Sequence, residues 1–224
     1  MLHMLMAAVG GSLPPVPSFL SAGTGAREAP VSGTLQVPYP ATVAAGNFLL
    51  MHVRDADAGG ASITTPSGWT LIKSQFSTDT LVQDCAYFKI ATGSETGNVD
   101  VTTTGGSYSA GRIYRFATGT GVEAAASAAT DASGTGMSAV NVTTLGSNRL
   151  AVQLLAAQVN TTIGNITGES GADYTEAVAE YATTSLIMSC QTASVSAATA
   201  ITSGSATLGS AGTYRNRIGF AIIP

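Results

Sequence analysis

Short apolar or β-branched runs alternate with clusters of Gly, Ser, Thr and Asn along almost the whole chain. Runs of this length, bounded by turn-forming residues, predict strands, and their even spacing predicts a sandwich or barrel. The pattern places strands at residues 33–37, 48–54, 70–77, 85–91, 98–103 and 111–116. A second set follows at 138–143, 150–157, 175–182, 185–192, 200–205 and 217–223. Beyond the N-terminal segment no stretch carries a convincing helical period. Residues 124–129 have a helix-forming composition, but Gly119, Gly121, Gly134 and Gly136 around them predict a loop.

The two halves of the chain echo each other. Asn47 and Asn148, each opening an apolar run, stand 101 residues apart. Trp69 and Tyr174, Cys85 and Cys190, and Arg112 and Arg217 stand 105 apart, so one small insertion reconciles the spacings. A period near 105 is too long for a solenoid repeat, whose units run about 20–50 residues. Either two small β domains or one sandwich with two similar halves fits. The single sandwich is preferred, because each half alone would leave an apolar sheet face uncovered. A jelly roll accommodates such a duplication. If corresponding strands face each other, Cys85 and Cys190 become neighbours. Two cysteines are otherwise too few for a disulfide framework, and small buried hydrophobes are their simpler reading.

The first residues follow a different rule. Leu2, Met4, Leu5, Met6, Val9, Leu13, Val16, Phe19 and Leu20 put many apolar side chains on a segment that Gly10, Gly11 and the prolines at 14, 15 and 17 keep from folding alone. Burying four such side chains on a partner contributes on the order of 6–12 kcal/mol before ordering costs. The segment lacks the basic start of a secretory leader, since the first positive residue is Arg27. It reads as a docking arm, or else as a cover for an open end of the same sandwich.

Composition narrows the setting. Charged residues make up 10% of the 224, against roughly 25% in ordinary soluble domains, and the only lysines are Lys73 and Lys89. A surface of Ser, Thr, Asn, Gly and Ala suits a protein packed among neighbours better than a free, concentrated monomer. The net charge of −4 argues against nucleic-acid binding, which draws on clustered cations. No apolar stretch reaches the ~18 residues that span a bilayer, so membrane insertion is not expected.

Candidate chemistry is thin. Ser170, within Gly168-Glu169-Ser170-Gly171, lacks a convincing general base, since the histidines are His3 in the arm and His52 in a predicted strand. Asp55 and Asp57, spaced like the first ligands of a calcium loop, lack the carboxylate that would close one, and a polar turn accounts for them. Glu176 and Glu180 read as a solvated face rather than a glycosidase pair. Asn141, Asn160 and Asn165 begin Asn-X-Thr triplets, which matter only in a secreted eukaryotic chain. Trp69 reads as a core plug at a strand entrance. No spacing predicts a zinc site, a phosphate loop or any cofactor.

The phrase Ile63-Thr64-Thr65-Pro66-Ser67-Gly68-Trp69-Thr70-Leu71-Ile72 resembles sequences of tailed-bacteriophage virion proteins. Ala45-Gly46-Asn47-Phe48-Leu49-Leu50 before it and Tyr87-Phe88-Lys89-Ile90-Ala91-Thr92-Gly93-Ser94-Glu95 after it strengthen the likeness. The opening Met1-Leu2-His3-Met4-Leu5-Met6-Ala7-Ala8 is similar to short apolar leaders on phage appendage proteins, although here it meets a proline-rich stretch. The likeness covers about the first half of the chain. It implies jelly-roll-like domains of tail fibres, tail tips or head decorations, and carries no catalytic residues.

These readings set the expectations. The fold is an all-β, jelly-roll-like antiparallel sandwich over residues 19–224, with similar halves at about 33–118 and 138–224 and an extended arm over 1–18. The function is that of a non-enzymatic structural protein, assembled in the bacterial cytoplasm into a virion. Its partners are other capsid or tail proteins, further copies of itself (a trimer by analogy with phage appendages) and a host-surface glycan. The competing reading is a carbohydrate-binding sandwich module, calcium-assisted through Asp55 and Asp57.

Overall fold

The computed structural model describes residues 13–28, 33–103, 107–123, 127–159, 161–178, 181–183 and 186–224. The first half supplies β1 (Phe19–Ala22), β2 (Ala26–Glu28), β3 (Gly33–Pro38), β4 (Phe48–Ala56), β5 (Thr70–Phe76), β6 (Val82–Ile90), β7 (Asn98–Thr103) and β8 (Tyr108–Phe116). The second supplies β9 (Gly121–Val122), β10 (Ser127–Ser138), β11 (Val142–Thr143), β12 (Arg149–Gln158), β13 (Thr167–Ser170), β14 (Thr175–Glu176), β15 (Tyr181–Ala182), β16 (Ile187–Val195) and β17 (Ala200–Ile223). No helix occurs among the described residues, and the protein is an antiparallel β-sandwich.

Two large sheets carry the sandwich. One runs β1-β8-β4-β6-β5, with β2 also on β8; the other runs β10-β17-β12-β16-β14, with β9, β11 and β13 on β17 and β15 on β16. In each, the last long strand of a half lies beside its first long strand (β8 on β4, β17 on β12), followed by β6 or β16. The same order therefore occurs twice. Above the first sheet lies the separate β3-β7 ribbon.

Side-chain alternation explains why β4 reads as an unbroken apolar run. Successive strand residues point to opposite faces. Leu49, Met51 and Val53 meet Leu35, Val37, Val99 and Val101 of the ribbon, whereas Phe48 and Leu50 meet Leu150, Val152, Leu154, Phe220 and Ile222 of the second sheet. Every residue of β4 is buried, because both its faces are covered. β12 repeats the arrangement: Ala151, Leu155 and Ala157 pack beneath Met137, Val142, Ile201, Ala206 and Leu208. Each large side chain so covered contributes about 1.5–3 kcal/mol.

The echo between the halves has a twist in it. Val53 pairs with Cys85 and Leu154 with Cys190, so the spacings of 101 and 105 do match strand partners. Yet Val53 and Cys85 face the ribbon, while Leu154 and Cys190 face the other sheet. A one-residue slip reverses every side chain in a strand. The two cysteines consequently belong to different layers, and both are free. Residues doing the same job sit elsewhere: the side-chain oxygens of Gln83 and Gln191 accept the amides of Ile63 and Ile166, each at 2.8 Å.

Several elements differ from the pattern. The expected strand at 175–182 is only the short β14 and β15, with residues 177–178 outside either strand. The expected strand at 138–143 is the end of β10, a gap and the short β11. From Ser127 onward the predicted loop is strand, held along β17 from Ser127↔Gly219 to Ser138↔Ser205. The expected strands at 200–205 and 217–223 are one strand of 24 residues. At the N-terminus, Val16 and Phe19 pack on the core between the sheets, and Pro17 is buried. The chain joins the sandwich two to three residues earlier than residue 19.

Candidate functional site

Arg54 lies in the middle of the sandwich and is fully buried. Its even-numbered position on β4 directs it at the second sheet, where it donates from Nη1 to Asp84 Oδ2 at 2.7 Å and from Nε to the Tyr108 hydroxyl at 3.4 Å. Asp84 also meets His52 Nε2 at 3.0 Å and accepts from Asn216 Nδ2 at 2.8 Å. Burial opposes ionisation of Asp84, but the Arg54 guanidinium, then His52 and Asn216, outweigh it and hold the carboxyl below its ordinary range. This polar cluster bridges the halves, since Asn216 belongs to β17.

The remaining arm of Arg54, Nη2, donates to the backbone carbonyl of Tyr214. Tyr214 has φ of 48°, a left-handed conformation that costs a bulky residue on the order of 1–3 kcal/mol. The cause is a bulge. Between the pairs Ala156↔Asn216 and Gln158↔Thr213, β17 has two residues, Tyr214 and Arg215, opposite one on β12. The bulge turns the Tyr214 side chain out at the seam between the sheets. Its hydroxyl donates to Asp79, whose charge raises the phenol's pKa.

Tyr214 separates two open grooves. One, of about 170 Å³, is lined by Ser77, Thr78, Asp79, Thr130 and Asp131 as well as Tyr214. The other, of about 180 Å³, has Asp57, Leu81, Val82, Ser107, Tyr108 and Gln158 among its walls. Ser77 Oγ (2.7 Å) and the Leu81 amide (3.2 Å) donate to Asp79 Oδ1 and fix that carboxylate in the β5–β6 turn. Asp131 is held by Arg217.

The opposite end of the strands has another character. Pro14, Pro15, Gly46, Ile90, Thr118, Gly119, Thr120 and Pro224 surround an apolar hollow of about 450 Å³. Asn148 Nδ2 donates to the Pro14 carbonyl at 2.9 Å, which places the incoming chain there. Leu13 and Leu145, 68% and 72% exposed, and Ile90, 38% exposed, are large apolar side chains in this region left to solvent. Phe48 and Ala56, at the two ends of β4, are separated by about 26 Å of strand.

The residues singled out from the sequence fall as follows. Leu2, Met4, Leu5, Met6 and Val9 lie outside the described residues, as do Glu180 and Asn160. Leu13 is exposed, whereas Val16 and Phe19 pack on the chain's own core. Asp55 is buried, with its oxygens taken by Ser109 Oγ at 2.6 Å and the Ser62 amide at 3.1 Å. Asp57 accepts the Gly59 amide at 2.9 Å, as a turn residue does. Among the described residues no group of three or more His, Cys, Asp or Glu converges as a metal site would. Ser170 Oγ faces Thr202 Oγ1 at 2.8 Å on the surface, while His52 is buried against Asp84, so the two do not meet. Glu176 takes a hydrogen bond from Ser189 at 3.3 Å. Trp69 is buried and stacks on Tyr39 with centroids 6.4 Å apart.

Tyr214 and Asp79 escaped the sequence reading. A lone Tyr amid Gly, Ser and Thr carries no periodic signal, and the bulge that aims it depends on pairing with a strand some 55 residues earlier. No protein-family model, curated protein or solved structure matches the chain.

Proposed function

We propose that this protein is a non-enzymatic structural component of a tailed-phage particle, anchored at one end and displaying the other. The observation that carries this reading is the difference between the two ends of the sandwich. The end where the N-terminal segment enters has an apolar hollow with the exposed Ile90 in its wall, and Leu13 and Leu145 are exposed as well. Isolated apolar residues on a surface are ordinary, but an apolar hollow with an exposed apolar wall suits burial against a partner. The far end presents Asp57, Asp79, Asp131 and Tyr214 to solvent grooves, with Phe76 at the end of β5 also exposed. The low overall charge supports a place among packed neighbours, including further copies of the chain. The likeness of residues 45–95 to virion proteins supplies the particular setting, a tail fibre or tip component or a capsid decoration protein.

Immunogold electron microscopy on purified particles of the encoding phage, with an antibody against residues 19–224, tests the reading. Label over the head identifies a decoration protein, and label at the tail end a fibre or tip component. Unlabelled particles, with the epitope shown to be accessible, overturn it.

A further inference from the structure

We propose that the two grooves flanking Tyr214 form a binding site for a neutral oligosaccharide, with the Tyr214 ring standing between two adjacent sugar subsites. Three features of the seam lead there. First, Tyr214 is a non-glycine residue at positive φ on a bulge, and the buried Arg54 holds its carbonyl in place. Bulges commonly re-aim a side chain beside a functional site, and strained backbone persists where its surroundings fix it. Second, the grooves on either side, of about 170 and 180 Å³, are each suited to a single sugar ring and share Tyr214 as a common wall. Third, their chemistry is mixed in the way a sugar requires. The aromatic ring and Leu81 offer apolar surface to the C–H face of a pyranose, while Asp79, Asp131, Thr130 and Gln158 offer acceptors and donors to its hydroxyls.

The same residues argue against other ligands. Asp57 and Asp79, which have no ion-pair partner among the described residues, would repel a phosphate, sulfate or uronic acid. A metal ion finds no converging set: Asp79 is engaged by Ser77, Leu81 and Tyr214, and Asp131 by Arg217. A neutral, hydroxyl-rich chain remains. The site lies at the end proposed above to be displayed, and it draws its biological sense from that reading.

The test uses the purified full-length protein on an array of bacterial-surface oligosaccharides, neutral and acidic, followed by calorimetry with the neutral glycan best retained. Neutral di- or trisaccharides are expected to bind, their acidic counterparts to bind at least about tenfold more weakly, and single sugars likewise. Tyr214→Gly suits the positive φ, so the fold survives it, and it should weaken binding by tenfold or more. Asp79→Asn, a second and milder change, should weaken binding several-fold with the thermal midpoint little altered. No retention of any neutral glycan by the wild type, or equal affinity in Tyr214→Gly, overturns the site. Absent glycan binding beside positive particle labelling removes the site and leaves the virion reading standing. Glycan binding beside unlabelled particles does the reverse.

Discussion

Arg54 can be buried only because its charge is answered on the spot. Asp84 lies 2.7 Å away, and that carboxylate is itself held by His52 and Asn216. Breaking such a pair costs about 3–5 kcal/mol, because the surviving charge is stranded, whereas replacing both members by apolar residues costs far less. Asp84→Asn should therefore destabilise by about that amount in urea titrations, and Arg54→Met/Asp84→Leu should lie closer to the wild type. The sign with pH follows from the depressed carboxyl of Asp84. Its contribution is complete above the ordinary aspartate value of about 3.9 and is lost as pH falls through the lower folded value. Glu95 adds a second acid-sensitive group. Burial opposes its ionisation, but the Thr92 amide, Lys89 and the Gly93 amide prevail, and its pKa drops to about 2. Glu95→Gln should lower the melting temperature at neutral pH and flatten its decline between about pH 5 and pH 2. A parallel decline in variant and wild type would remove Glu95 from the account.

At the scale of elements, packing is tight where the upper layer of the second half meets β17. A Cβ on Gly219 would lie 2.6 Å from Val140 Cγ2 and 2.9 Å from Val142 Cγ2, with Gln153 Nε2 also at 2.9 Å. Gly219→Ala is expected to cost about 1–3 kcal/mol through overpacking, read as a lower urea midpoint with an unchanged slope. Gly111 occupies the matching place beneath the ribbon, 2.8 Å from Val37 Cγ2 by the same measure. Much of this architecture was legible beforehand. β4 and β12 begin within a residue of where their apolar runs begin, because strands buried on both faces are unbroken in sequence, and β7 was legible from its alternation of buried and exposed residues. The β10–β17 pairing was not legible: its Ser, Gly and Thr residues read as loop, and long-range pairing along the twelve residues of β10 overrides that local preference. The same blindness hid the candidate site. Arg54 and Asp84 sit inside apolar runs, and Tyr214 and Asp79 come together only once the two sheets are stacked. The matched cysteines are the buried, free thiols of the simpler reading, and their spacing left open whether they are neighbours, since a spacing reports strand partners and not the face that each strand turns inward.

For the whole molecule, the boundary between arm and domain decides which truncations are informative. Phe19 contacts Phe116 edge-on, with centroids 5.8 Å apart, and Val16 packs on the core between the sheets. The Ala117 amide donates to the Ser18 carbonyl at 2.8 Å, and β1 extends the first sheet along β8. Removing residues 1–22 should therefore strip an edge strand and uncover Phe116. Two large side chains would be lost from the core, about 3–6 kcal/mol before any repacking. Removing only residues 1–12 touches none of these contacts and should leave the melting temperature unchanged. If the N-terminal segment anchors the protein, the shorter deletion yields a soluble, folded sandwich that no longer enters particles when it replaces the full chain. If that variant still incorporates at wild-type levels, anchoring falls to the apolar end itself, and Leu145→Asp with Ile90→Asp becomes the decisive pair. A shorter deletion that unfolds the protein would instead make residues 1–12 part of the sandwich, and the docking role would fail with it. The contrast between the two truncations separates attachment from stability, because only one removes contacts that hold the sheets together.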